Sequence, residues 1–210
     1  GANLNTPQVT VVVPVHREPV GQPRRALRSV RKQIEAPDTE IILIADRPSD
    51  EVRAYAPKLA EEFGARLMFV DNGDLGLTRN DATKEAQGAH VAYLDSDDAY
   101  GCKWLRQAYE TSLKFTDDKW LLHPSWMVMH SAQAFIHRCY GMNDPEYDQK
   151  SICQYNPISA LSYAPKSLLL RYPQEPVTGG WGYDDWSSLS LLVGEGVRFE
   201  CIHDGVIFIK

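Results

Sequence analysis

Cysteine is scarce in this chain. Cys102, Cys139, Cys153 and Cys201 are the only four in 210 residues, and no two form a CxxC pair. That spacing argues against a zinc ribbon and against a disulfide framework, so reduced thiols in a cytoplasmic protein are expected. Long apolar runs are missing as well: none approaches the ~20 residues of a membrane-spanning helix. Any membrane association is therefore expected through parts outside this chain. Charge of one sign is not concentrated either. Lys and Arg number 22 against 28 Asp and Glu, a formal net charge of −6 without long runs. Nucleic acid is thus not an expected partner. No internal repeat, low-complexity tract or secretory leader is visible. The chain stops at Lys210, just after the apolar run Val206 to Ile209, as a piece of a longer protein would.

What is present is the composition of a compact domain, 43% hydrophobic and 24% charged. "VTVVVPV" (Val9 to Val15) is a continuous β-branched run, the pattern of a strand buried on both faces. A helix opened by Pro23 follows, with Ala26, Leu27, Val30 and Ile34 at helical spacing. Its five cations, Arg24, Arg25, Arg28, Arg31 and Lys32, read as a solvated face. Further strands are expected over Glu40 to Asp46, Ala65 to Asp71 and His90 to Asp95. Ser49-Asp50 can cap the helix after the second strand, and Gly64 can end it. Helices are also expected from Leu77 to Gly88 and from about Lys103 to Lys114.

This alternation predicts an α/β fold, a mostly parallel sheet with helices on both faces. Ligands of such sheets sit outside the carboxyl ends of the strands. Three of the four expected strands end in Asp46, Asp71 and Asp95, so that edge is acidic. Residues 1–118 read as one half of a single domain. The second half, 119–210, is richer in Trp, Tyr, His, Asn and Pro, with weak periodicity. Strands are expected at Trp120 to Leu122, Ser125 to His130 and within "ISALSYAP". "KSLLLRY" reads as a short helix, and "VTGGWGYDDWSSLSLLVGEG" as a glycine-rich turn entering a helix that Gly194 ends.

The most pointed feature is "AYLDSDDAY", residues 92–100. A buried strand delivers Asp95, Asp97 and Asp98 together to the acidic edge. Carboxylates this close repel, and a hard divalent cation, Mg²⁺ or Mn²⁺, relieves the repulsion. The ion keeps some waters and completes its shell with substrate phosphate oxygens. An Asp-x-Asp at a strand end suits two enzyme classes: metal-dependent phosphatases of the haloacid-dehalogenase type, and nucleotide-sugar glycosyltransferases. In the phosphatases the motif follows the first strand, with a small hydroxyl residue two places after the second Asp. Here it follows the fourth, and Ala99 holds that place.

Four segments in order resemble the family 2 glycosyltransferases and their GT-A fold: "VVVPVHRE", "IILIADRPSD", "GLTRNDATKEAQGAHVAYLDSDD" and "GGWGYDDW". The resemblance spans roughly residues 9 to 200. It implies a GT-A-type, Rossmann-like sheet with a small acceptor-side subregion. It implies that Pro14, His16 and Glu18 lie along the nucleotide pocket, that Asp46 bonds the base, and that Arg79 sits near base or phosphates. Asp95 would face ribose or sugar, and Asp97 would be the main metal ligand. Asp98 is an alternative to Asp97, and His203 in "ECIHDG" could join the metal shell. Asp185 would be the general base, with Trp181, Asp184 and Trp186 meeting the acceptor. Asp184 could equally cap the following helix. Two departures stand out. Arg47 replaces the family's second acidic residue on the second strand, and Ser187, Ser188 and Ser190 occupy a region that often carries an arginine.

The expected activity is inverting transfer of a sugar from a nucleotide-diphosphate donor, a UDP-sugar first, to a glycan or glycoconjugate hydroxyl. The alternatives are a nucleotide-sugar-binding module without transfer and a metal-dependent phosphatase or nucleotidyltransferase.

Overall fold

The computed structural model describes residues 6–177 and 184–210. Its strands are β1 (Val9–Val15), β2 (Thr39–Asp46), β3 (Arg66–Val70), β4 (His90–Tyr93), β5 (Ala99–Tyr100), β6 (Trp120–Met129), β7 (Phe135–Arg138), β8 (Tyr163–Pro165) and β9 (Arg198–Ile209). Its α-helices are α1 (Gly21–Arg31), α2 (Asp50–Phe63), α3 (Leu75–Glu85), α4 (Trp104–Ser112), α5 (Lys166–Arg171) and α6 (Asp184–Gly194). One sheet runs β3-β2-β1-β4-β8-β6-β9-β5, with β7 paired to β6. Strands β1 to β4 are mutually parallel. Beyond them β8 is antiparallel to both β4 and β6, while β6 and β9 run parallel to each other. The sheet therefore continues through both halves of the chain.

Side chains alternate across a strand, so the β-branched run of β1 feeds two cores. Val9, Val11, Val13 and Val15 face Ala26 and Leu27 of α1, Ala56 and Leu59 of α2, and Leu105 of α4. Val12, Ile42 and Ile44 face the other way, onto Ala82 of α3. Helices thus cover both faces, as the continuous apolar pattern requires. Each such side chain contributes about 1.5–3 kcal/mol on full burial. A third cluster packs Leu168, Leu189 and Leu192 of α5 and α6 against Leu121, Phe199 and Cys201.

Local signals behave as expected around α2. The Ser49 hydroxyl accepts from Val52 N at 3.3 Å, and Gly64 closes the helix at φ +58°. Elsewhere the structure departs from the sequence pattern. Helix α1 starts two residues before Pro23 and ends at Arg31, so Ile34 falls outside it and is exposed. The two strands expected between 120 and 130 are one, β6, with a register shift between Pro124 and Trp126. Strands β5, β7 and β9 have no counterpart in the pattern reading. Only two residues long, β5 is too short to show a period. Phe135, Ile136 and His137 of β7 are exposed, so it buries no apolar face that would mark it. The acidic and histidine residues in the middle of β9 hide its alternation. Among the described residues no helix is long and apolar enough to cross a membrane.

Candidate active site

Pro14 opens the site. Leu94 N donates to Val12 O at 3.0 Å, the last rung between β1 and β4. The next rung would need an N–H at position 14, which proline lacks. The ladder stops there, and the chain beyond β4 leaves the sheet carrying Asp95, Ser96 and Asp97. A cleft of about 390 Å³ lies at this edge. It brings together Pro14, His16, Glu18, Asp46, Asp95 and Asp97, residues that sequence separates by up to 83 positions.

Asp46 builds one wall. Its Oδ1 accepts from Asn72 N (2.8 Å) and Gly73 N (3.0 Å), and its Oδ2 from Asp74 N (3.2 Å). Burial pushes its pKa up, but bonds from Gly73, Asn72, the Thr78 hydroxyl and Asp74 outweigh it and leave the carboxyl below its usual range. Asp46 is thus an ionised anchor for the loop 72–74. His16 Nδ1 donates to Asp46 O at 2.7 Å, and Glu18 Oε2 accepts from His16 N at 2.6 Å, which ties the end of β1 to the same wall. Arg47 sits at φ +43°, its Nε 2.5 Å from Asp71 Oδ1, so Asp71 is held at the rim and does not line the cleft.

The acidic loop separates its three carboxylates. Asp98 N closes a turn on Asp95 O at 3.0 Å. Asp95 and Asp97 face the cleft. Asp98 turns away from it and is buried, its Oδ1 accepting Lys210 N at 3.1 Å. Burial, and then the charges of Asp95 and Asp97, push Asp98 up to about 7, even though the Lys210 N–H works the other way. Asp97 is also raised, by burial first and the neighbouring Asp95 charge second. Arg25 Nη2 donates to Asp97 O at 3.1 Å, so one cation of the supposedly solvated α1 face steadies the loop.

Arg79 joins this loop to Asp185. Its guanidinium is buried, 2.7 Å from Asp95 Oδ1 and 3.7 Å from Asp185 Oδ1, over the ring of Tyr93. Burial alone would lower its pKa, but the charges of Asp95 and Asp185 hold it above the usual arginine value. Arg79 therefore lies beneath the cleft rather than along it. Asp185 is partly exposed and borders a second hollow between α6 and residues 158–162.

Five of the described expected site residues do not line the cleft: Arg79 and Asp185, placed above, and Asp98, His203 and Trp186. Asp98 is turned inward, as described. His203 is exposed in β9, seven residues before the Lys210 amide that meets the acidic loop. His203 is not among the residues that line the cleft with Asp97. Trp186 donates its indole N–H to Ile152 O at 2.6 Å and so fastens α6 to the 3₁₀ turn Gln149–Cys153. Trp181 and the Asp184 side chain lie outside the described residues. Among the described residues no three His, Cys, Asp or Glu side chains form a complete metal cage. Asp95 and Asp97 supply two carboxylates at an open cleft, which fits a hard divalent ion that takes its other ligands from water and phosphate.

Sequence reading missed Gly73, Asp74 and Thr78, which also line the cleft. Asp74 carried a usable signal: it stands where α3 begins and caps it, accepting Leu77 N at 2.9 Å.

A mostly parallel sheet with an open cleft and an Asp-x-Asp loop at its edge is the arrangement of a GT-A architecture. The profile of the family described as Glycosyl transferase family 2 matches residues 10–118, just over half the chain, and the chain belongs to that family. The succinoglycan biosynthesis protein ExoW of Rhizobium meliloti (strain 1021) is 28% identical over 199 residues, covering 92% of this chain and 58% of ExoW. A putative teichuronic acid biosynthesis glycosyltransferase, TuaG of Bacillus subtilis (strain 168), is 34% identical over 82 residues, 38% of this chain and 31% of TuaG. The chain therefore spans well under two thirds of these relatives. In fold it matches S. aureus TarS 1-349 solved in complex with UDP-GlcNAc: TM-score 0.72 at 18% identity, covering 96% of this chain and 58% of that one.

Proposed function

We propose that this chain is the catalytic part of an inverting glycosyltransferase. It moves a sugar from a nucleotide-diphosphate donor to a hydroxyl of a glycan or glycoconjugate. The observation that carries this reading is the placement of Arg79 between Asp95 and Asp185. One guanidinium holds Asp95 of the cleft loop and Asp185 together, although 90 residues separate them in sequence. Donor and acceptor chemistry then meet at one place.

In this reading the cleft takes the nucleotide, with Pro14, His16 and Glu18 along one side and the Asp46-anchored loop along the other. Asp97, facing the cleft with Asp95, holds Mn²⁺ or Mg²⁺; the family generally uses divalent metals. Such an ion offsets the charge that develops on the departing diphosphate. Asp185 takes the proton of the acceptor hydroxyl as its oxygen attacks the anomeric carbon from the side opposite the diphosphate. A single displacement of this kind inverts the configuration. UDP-sugars are the donors named first, because TarS was solved with both UDP-GlcNAc and UDP. Relatives named for succinoglycan and teichuronic acid biosynthesis favour a polysaccharide product.

Thermal melting with UDP, GDP and dTDP, each with and without Mn²⁺, tests the reading alongside hydrolysis of the matching nucleotide sugars. UDP with Mn²⁺ should raise the melting temperature most. If no nucleotide diphosphate raises it with metal present, the transferase reading fails. Stabilisation without any turnover would leave a nucleotide-sugar-binding module instead.

A further inference from the structure

Residues 173–177 form a strap across α3, and its bonds have no part in the chemistry above. The Asn80 side chain meets the strap twice: Nδ2 donates to Gln174 O at 2.8 Å, and Oδ1 accepts Gln174 N at 2.9 Å. Three residues on, Val177 N donates to Asp74 Oδ2 at 3.0 Å. The helix makes room for this contact. Gly76 shares a face with Asn80 at i, i+4, and a Cβ at Gly76 would stand 3.1 Å from the Gln174 side chain. After the strap, the next described residue is Asp184, which opens the helix carrying Asp185.

Asp74 belongs to both sides of the junction. Its Oδ2 holds the strap, its Oδ1 caps α3, and its N–H lies on Asp46 Oδ2 in the cleft wall. A continuous run of bonds therefore links the cleft to the strap: Asp46, the 72–74 loop, Asp74, Val177. We infer that Asn80 and Asp74 are positioning residues, which register the strap 173–177 against the donor cleft, so that filling the cleft tightens the strap. Asn80 touches neither nucleotide nor sugar in this arrangement; it acts through the strap. The inference rests on the cleft being the donor site, as proposed above.

Amide hydrogen exchange of a peptide covering 172–177 tests it in two arms. Without ligand, Asn80→Ala should speed exchange in this peptide roughly tenfold, the effect of losing two hydrogen bonds, while the core strands β1 and β2 stay protected. Asn80→Asp removes only the donated bond to Gln174 O, is nearly isosteric, and should give a speed-up in the same peptide if the alanine variant does not fold. In the wild type, UDP with Mn²⁺ should slow exchange of the strap. In the Asn80 variants that response should weaken, the Asp74–Val177 bond remaining in place, while the UDP dissociation constant stays within about twofold. A merely structural Asn80 would loosen strap and UDP binding together, and that result overturns the inference. So does unchanged strap exchange in both variants, or a strap indifferent to UDP that demonstrably binds. If UDP does not bind at all, the donor reading fails by itself, and the ligand-free arm decides whether Asn80 registers the strap.

Discussion

Arg79 sits between Asp95, at 2.7 Å, and Asp185, at 3.7 Å, with its own side chain only 3% exposed. A buried cation with two carboxylates at its surface side holds together groups that would otherwise repel. Removing one partner of such an arrangement costs far more than the arrangement itself contributes. Arg79→Ala leaves two partly exposed carboxylates without their shared cation, and should lower the urea midpoint and abolish transfer. Arg79→Lys keeps the charge but not the planar fork that reaches both acids. It should fold and still transfer poorly. A lysine variant with wild-type rate would show that the two-sided contact is unimportant.

Asp97 and Asp185 should fail differently. Asp97→Asn removes a carboxylate facing the cleft and should abolish the Mn²⁺-dependent part of UDP stabilisation. Asp185→Asn leaves the cleft intact and should keep that stabilisation while losing transfer by a factor of about 100 or more, as expected for a positioned general base. Calorimetric UDP titrations and product assays on both variants separate the roles. Equal loss of binding in the two would remove the distinction.

Asp46 should matter through the loop it anchors. Asp46→Asn replaces one of two accepting oxygens with a donor that faces backbone N–H groups. The expected loss is about 1–3 kcal/mol of stability, together with weaker UDP binding. A variant that binds UDP normally would show that the 72–74 loop needs no carboxylate to hold its shape.

His123 gives a pH dependence at a residue that does not line the cleft. It is fully buried; its Nδ1 donates to Pro124 O at 2.7 Å, and its Nε2 accepts Ser159 N at 3.1 Å. Burial lowers its pKa from 6.5 to about 4, since a charged ring there is poorly solvated and would lose the acceptor nitrogen. Protons then bind the unfolded chain first as pH falls below 6.5. Stability due to this group is present above that value and drains until about pH 4, by on the order of 3 kcal/mol. His123→Gln should flatten the stability profile between pH 6.5 and 4, measured by denaturant midpoints. An unchanged profile would place the titration elsewhere.

The parallel half of the fold was legible because its signals are local. A β-branched run is buried on both faces wherever it pairs, and Ser49 and Gly64 mark the ends of α2 through their own backbone geometry. Edge strand β7 and the long β9 were not legible. Their burial is partial, so neither carries a clean period of two. The site divided in the same way. Pro14, Asp46 and the Asp95–Asp97 loop announced themselves at strand ends, where a parallel sheet places its ligands.

By itself the sequence determined the α/β class, the acidic edge and the family, because residue type and order carry those. Only the tertiary structure decided how three adjacent carboxylates divide: Asp95 and Asp97 to the cleft, Asp98 inward to the Lys210 amide. Only it left His203 out of the cleft lining and put Arg79 beneath the site, against Asp185. The reason is physical. Side-chain direction at a turn, and pairing between residues far apart in the chain, depend on which strands lie side by side, and no local pattern encodes that.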